Sequence, residues 1–566
     1  MKSSHLLHRG LFAVTVSLAL AGTVHAQQAV PPPSQLPNAG QLLQQVPRQP
    51  ETAPRSDLDL RMLRTRHAHA QDTQAFLVKR IRITGNTLLS TRVLHALVSG
   101  SEGRRLTLGQ LQGLADRISA AYHAAGYPLA RAYVPAQTLR DGVVEIDVVE
   151  ARYGKVVLQN HSSVSDKTLR KVLAPLQPGQ PVANRPLERS LLLLSDVPGA
   201  TTSSVVRPGD QPGTSDLVVD VAAAPRYTGT IGADDFGNRY TGRARISGSF
   251  DVNGLLHRGD LLQVDAASSG GGMSYFQGGY RMLLDGQGTT LRAGVSTLHY
   301  HLRNGLEALD AHGSALVGSL TLAHPFIRST AGNLYGQIEF DRKLLKDDIE
   351  AALLHNDRDL DVWSATLAGD QRDAHGITNF RLGASRGKVD FTDMLAEVID
   401  QLTARTAGEY SRYVVSASRL QQLDPVNAIY VGYSRQWASK NLDTSAQFFL
   451  GGPDTVRGYD AGALSGSQGD LLTAEFRHDF HLPRTPGRWQ ATLFADTGRV
   501  EVYKDSFAGG VNSGRASGAG IGLHWATPRE WFVDVTASRP IGAAPDLLNG
   551  VDSGTRFWVQ LRKGFY

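Results

Sequence analysis

The chain contains no cysteine, which excludes both a disulfide framework and a thiolate metal site. Beyond its N-terminus it has no apolar run near the ~20 residues that a membrane-crossing helix requires, so a helical membrane protein is excluded as well. Its net charge of +5 is too small to imply a nucleic-acid partner. Catalytic signatures are missing too: there is no GxSxG, no HExxH and no Walker loop. "GASRGKV" from Gly383 has the wrong spacing for a phosphate loop and no hydroxyl residue after its lysine, and "GAGIG" from Gly518 reads as strand glycines on an inner wall. The 18 histidines are scattered without ligand spacing. The sequence therefore predicts no enzyme, no cofactor and no metal site.

What is present is glycine, 59 of 566 residues, within a chain long enough for two or three domains. Lys2, His5, His8 and Arg9 precede the apolar run "LFAVTVSLALAG", and the small-residue stretch Val24–Ala26 places a cut before Gln27. That is the grammar of a secretory signal peptide over residues 1–26, so the protein is expected to leave the cytoplasm. Residues 27–74 look like a tether, because Pro31–Pro33, Pro37, Pro47, Pro50 and Pro54 break any long helix. Two short helical patches survive there, "NAGQLLQQV" from Asn38 and "SDLDLRMLRTRHAHAQ" from Ser56.

Small α/β units follow, expected over 75–152 and 153–225. The first reads strand, helix, helix, strand, strand. Its second helix opens on a capping box, Thr107 with Gln110, and carries Leu111, Leu114, Ala115, Ile118 and Tyr122 on one face. In "GVVEIDVVE", Val144, Ile146 and Val148 oppose Glu145 and Asp147. A weaker copy of the same order makes a tandem repeat.

From residue 226 to 566 helical periodicity nearly vanishes. Ile246 and Phe250 oppose Arg245 and Ser249; Ile338 and Phe340 oppose Gln337 and Glu339; Val533 and Val535 oppose Asp534 and Thr536. Alternation in segments of about ten residues predicts a transmembrane β-barrel, since strands of a soluble sandwich run nearer about five or six. Short turns such as 285–288 and 527–530 alternate with long connections at 344–360, 387–409 and 501–515. Of 17 candidate strands, the weakest is "TSAQFFL". Assigning it to a long loop over 438–467 leaves 16 and keeps both barrel ends on one membrane face.

That loop contains "GGPDTVRGYDAG", whose single arginine is Arg457. In "GRWQATLFADTGRV", Trp489, Ala491, Leu493 and Ala495 fall on the lipid phase, while Thr492, Phe494, Asp496 and Gly498 fall on the inner phase. A carboxylate on an inner wall wants a cation, and an arginine's planar fork suits the task. The residues alone also allow two unrelated solvated charges.

The two segments resemble the loop and wall motifs of the two-partner secretion (TpsB) transporters, of the haemolysin secretion/activation type, in the POTRA-plus-barrel superfamily. "GGPDTVRGYDAG", with Val456, Gly458 and Tyr459 around Arg457, is similar to the loop motif, and "FADTG", Phe494–Gly498, to the wall motif. "HPFIRS" and residues 120–156 are similar to further family segments. The resemblance implies two periplasmic α+β POTRA domains before a 16-stranded transmembrane β-barrel in the bacterial outer membrane. It also implies a pore-filling N-terminal helix, with either patch of the tether as the candidate, and pairs Arg457 with Asp496. The implied function is export of a large exoprotein bearing an N-terminal secretion domain; a barrel-assembly insertase is the alternative. Outer-membrane lipid and the barrel assembly machinery are implied as further partners. In "TRFWVQLRKGFY", Phe565 lies on the lipid phase and the terminal Tyr566 off it, so either is a candidate for the barrel's C-terminal insertion signal.

Overall fold

A computed structural model of the chain describes residues 36–46, 60–62, 74–138, 140–507, 509–528, 530–548 and 554–566. The expected signal peptide lies outside these residues. None of the described helices is long and apolar enough to cross a membrane.

Among the described residues, sixteen long antiparallel strands, from Tyr227–Asp234 to Arg556–Phe565, form a closed barrel. The last strand returns to the first, in register from Gly229↔Phe565 to Asp234↔Gln560, so no edge is left unpaired in the bilayer. The expected phase holds. Ile338, Leu493 and Phe557 stand on the outside at 54%, 59% and 62% exposure, while Arg245, Ser249, Thr536 and Ser538 are buried inside. Phe565 faces outward within the final strand, and Tyr566 follows it, exposed.

"TSAQFFL" is loop, as expected. Phe448–Leu450 pairs only with Leu464–Gly466, a hairpin separate from the wall. One expectation is corrected. Residues 344–360 are not mostly connection, because Gly332–Ile349 and Arg358–Asp373 are paired strands that reach well into that stretch. The charges there read as loop, yet Asp347 and Arg358 are buried as a pair inside the barrel, so the strands run on through them without apolar residues at those positions.

Before the barrel lie two α/β modules with the same order of elements. In the first, Arg80–Thr84, Val143–Val149 and Arg131–Tyr133 form a sheet, covered by Thr91–Ala96 and Leu108–Ala124. Thr107 and Gln110 make the reciprocal capping box. Leu111, Leu114, Ala115, Ile118 and Tyr122 bury against Val144, Ile146 and Val148. In the second, Arg152–His161, Thr214–Ala223 and Ala200–Pro208 repeat that strand order, covered by Asp166–Leu173 and Asn184–Ser195.

The described parts of the tether hold two different elements. Ala39–Gln45 is a helix. Within the second patch, residues 60–62 are not helical: Leu60–Met62 is a strand that pairs parallel with Ala200–Pro208. Leu58, Leu60 and Met62 also alternate at period two, and an open sheet edge selects that period over the helical one.

Candidate functional site

The loop around Arg457 folds into the barrel and meets the wall strand Arg488–Glu501. The Arg457 guanidinium grips Asp496 in a fork, Nε to Oδ2 and Nη2 to Oδ1, both 2.8 Å. Its backbone N–H also donates to Oδ2 at 3.2 Å. The remaining nitrogen, Nη1, reaches Glu475 Oε1 at 2.8 Å on the neighbouring strand. Beneath the plane lies the Phe494 ring, its centroid 3.4 Å from Arg457 Cζ. Asp496 is fully shielded, its side chain 0% exposed, and that of Arg457 is 12% exposed. The pair is thus desolvated and complete, the setting in which removing one partner is costly.

Backbone contacts seat the loop as firmly as the side chain does. Arg457 O accepts from Ser538 Oγ at 2.5 Å and from Trp558 Nε1 at 2.7 Å. Gly458 lies flat on the wall, where a Cβ would stand 2.9 Å from Pro540 N and 3.0 Å from Arg539 C. Gly518 is the bare wall position opposite it. Val456 and Tyr459 are buried with Leu450, Leu464, Val500 and Ala516 in a small apolar cluster. Gly498, on the inner phase of the wall strand, meets the loop hairpin rather than Arg457. The room it leaves is filled by Leu450, whose Cδ2 would be 2.7 Å from an added Cβ.

Several partners carry no signal in the sequence. Glu475 is oriented by Arg477, whose Nε donates to Oε2 at 2.8 Å. Asp460 is clamped by Arg243 Nη2 at 2.7 Å and Arg556 Nη1 at 2.5 Å. Isolated charges on a strand's inner phase look alike until the barrel closes and sets them opposite one another.

The helix Ala39–Gln45 sits among inward-facing residues of the same barrel. Ala39 N donates to Asp347 Oδ1 at 2.7 Å, an oxygen that also accepts from Tyr300 Oη. Arg358, fully buried, bridges Asp347 (2.7 Å) and Asp443 (2.5 Å). At the other end Arg245 Nη1 donates to Gln45 O at 2.7 Å. Gln41 reaches Ser465 of the loop hairpin at 3.1 Å, so helix and loop touch. Among the described residues, it is the patch beginning at Asn38 that lies inside the barrel.

The family described as haemolysin secretion/activation protein ShlB/FhaC/HecB matches residues 213–525, more than half of the chain. The POTRA domain of ShlB type matches residues 76–151. The chain belongs to this family. It is an outer-membrane β-barrel transporter, and its POTRA domain is periplasmic. The heme/hemopexin transporter protein HuxB of Haemophilus influenzae (strain 86-028NP) is 27% identical over 94% of this chain and 95% of its own length. Among solved structures, CdiB from Escherichia coli superposes with a TM-score of 0.70 at 22% identity, covering 89% of this chain and 93% of that one. BamA from Haemophilus ducreyi lacking POTRA domains 1–3 superposes at 0.51 with 12% identity, over 87% and 100%. Both likenesses are of fold.

In this transporter family member the segment "HPFIRS" docks the second module onto the barrel. Arg328 holds Asp196 with Nε and Nη2, both 2.8 Å. Arg189 of the module donates to Pro325 O at 2.7 Å, and Glu188 accepts from Thr330 N at 2.6 Å.

Proposed function

We propose that the chain exports one large, unfolded partner exoprotein by two-partner secretion, through a lumen that the Arg457 loop and the Ala39–Gln45 helix occupy at rest. The observation that carries this reading is the seating of that loop, bidentate on Asp496 and bridged to Glu475, in direct touch with the helix. Both are separate from the wall's own hydrogen-bonded ladder, so both can leave without opening the barrel. The second module is read as a second POTRA domain, about 153–225, and residues 1–26 as a signal peptide. Phe565 is the candidate insertion signal read by the barrel assembly machinery, with Tyr566 beyond the strand.

A POTRA sheet binds an extended peptide by taking it as a further strand. In the second module the outer edge, Ala200–Pro208, already carries Leu60–Met62. Substrate therefore competes with the tether there, or uses the Arg131–Tyr133 edge of the first module. No nucleotide drives the step; folding of the exoprotein outside supplies direction. HuxB's name makes a haem- or hemopexin-handling exoprotein the first cargo to try. The insertase reading gains nothing, since the likeness to BamA is one of fold alone. Co-expression with a candidate large secreted exoprotein is the test. Release of that protein into the medium only when the transporter is present supports export; general loss of outer-membrane barrels on depletion, with cargo release unchanged, contradicts it.

A further inference from the structure

The outer rim of the barrel assembles histidines that lie far apart in sequence. His301 ends the strand Thr290–His301 and His312 lies near the start of Ala311–Arg328. They are direct cross-strand partners. His312 in turn faces Asp348, and Asp348 faces His355 on the short strand Leu354–His355. Directly opposed residues project to the same side of a sheet, so this rung of four strands offers a row of imidazoles and a carboxylate. Tyr300 and Asp347, one residue before, point into the lumen to hold the helix. The row therefore points outward. Asp310 completes it from the connecting turn, where its backbone is left-handed at φ 43°.

The atoms available for ligation converge. His301, Asp310 and His312 each offer one ligand atom, all within 4.8 Å of one another. His301 Nε2 stands 4.0 Å from Asp310 Oδ1, and His312 Nε2 stands 4.0 Å from Asp348 Oδ2. These separations are too long for hydrogen bonds. A tetrahedral ion with bonds of ~2.0–2.2 Å sets its ligands ~3.4 Å apart, so small side-chain rotations close the trio, with Asp348 within reach on the far side of His312. Outer contacts fix the ligands as metal sites require. His312 Nδ1 donates to the Asp310 carbonyl at 3.1 Å, which leaves Nε2 with its lone pair toward the cluster. Asp348 is oriented by His355 Nδ1 at 2.7 Å through the oxygen that does not face His312.

We propose that His301, Asp310 and His312, with Asp348 as the fourth ligand, bind one divalent transition-metal ion of the Zn²⁺ class on the outer rim of the barrel. Two imidazoles and two carboxylates select such ions over Mg²⁺ or Ca²⁺, which prefer all-oxygen sets. The bound ion would tie the 302–310 connection to three adjacent strands, on the rung whose inner face anchors the pore helix.

The test is calorimetric titration of ZnCl₂ into the full-length, untagged protein in detergent micelles. One saturable ion per chain is expected, and His301→Asn and His312→Asn are each expected to weaken it at least about tenfold. His161→Asn, in an isolated pair 3.7 Å from Asp220, should leave it unchanged. Heat-shifted migration on gels checks that each variant is a folded barrel. Should a variant fail to assemble, Co²⁺ loading of the unaltered protein decides, with intense visible bands expected for a four-coordinate nitrogen–oxygen set. Absence of saturable Zn²⁺ binding, affinity unaffected by both substitutions together, or a Co²⁺ spectrum like that of the free ion would each overturn the proposal.

Discussion

Arg457 works because three geometric demands fall on one planar group: a fork for Asp496, a spare nitrogen for Glu475 and a face for the Phe494 ring. A lysine could meet only one of them. A carboxylate in the first module shows the same economy away from the membrane. Glu150 is buried and accepts from Thr87 N, Thr87 Oγ1, Leu88 N and Tyr122 Oη. Burial pushes its pKa up, but the hydrogen bonds from Leu88, Thr87 and Tyr122 outweigh it and hold the group below the ordinary glutamate value. A depressed carboxylate stabilises the fold above its unfolded pKa, about 4.3, and that contribution is lost as pH falls through the folded value. Glu150→Gln is therefore expected to destabilise the module by about 1–3 kcal/mol at neutral pH. Hydrogen exchange in Leu108–Ala124, corrected for intrinsic rates, should be faster in the variant at neutral pH, with the gap closing in acid. Arg457 and Asp496 were legible in the sequence because each sits in a distinctive segment. Glu475, Trp558 and Asp347 were not, since a lone polar residue on a strand reveals its phase but never its partner. His301 and His312 escaped for the same reason: eleven positions apart, they become neighbours only through strand register.

At the scale of elements, the loop is held by shape as much as by charge. Gly458 presses backbone to backbone on Pro540 and Arg539. Those atoms belong to the barrel ladder and cannot retreat, so Gly458→Ala should unseat the loop although it leaves Arg457 and Asp496 untouched. Limited proteolysis across 451–462 should then proceed at least about tenfold faster, the equivalent of about 1.4 kcal/mol, with the barrel itself still resistant. Barrel strands were legible because alternation is imposed by lipid on one side and lumen on the other. Where charges replace that alternation, the signal ends: Gly332–Ile349 runs on through Asp347, whose buried partner Arg358 the sequence does not reveal, and reads as shorter than it is. Leu60–Met62 failed differently, because a three-residue strand has no stability of its own and takes its conformation from the edge it joins.

For the whole molecule, the lumen holds the Arg457 loop and the Ala39–Gln45 helix in contact, and the second module docks on the barrel through Asp196 and Arg328. Asp347 ties the pore helix to the wall while Arg358 neutralises it. Asp347→Ala removes the carboxylate that accepts from Ala39 N and leaves Asp443 as the remaining carboxylate on Arg358. A charge-assisted hydrogen bond of about 1.5–3 kcal/mol is lost, so the open fraction in planar bilayers should rise by about tenfold or more. The direct measurement of the central claim is export by Arg457→Ala. Breaking this buried pair costs about 3–5 kcal/mol of loop seating without touching a barrel hydrogen bond. The account predicts a folded, membrane-inserted barrel whose release of exoprotein into the medium falls at least about tenfold; release at the level of the unaltered transporter would contradict it.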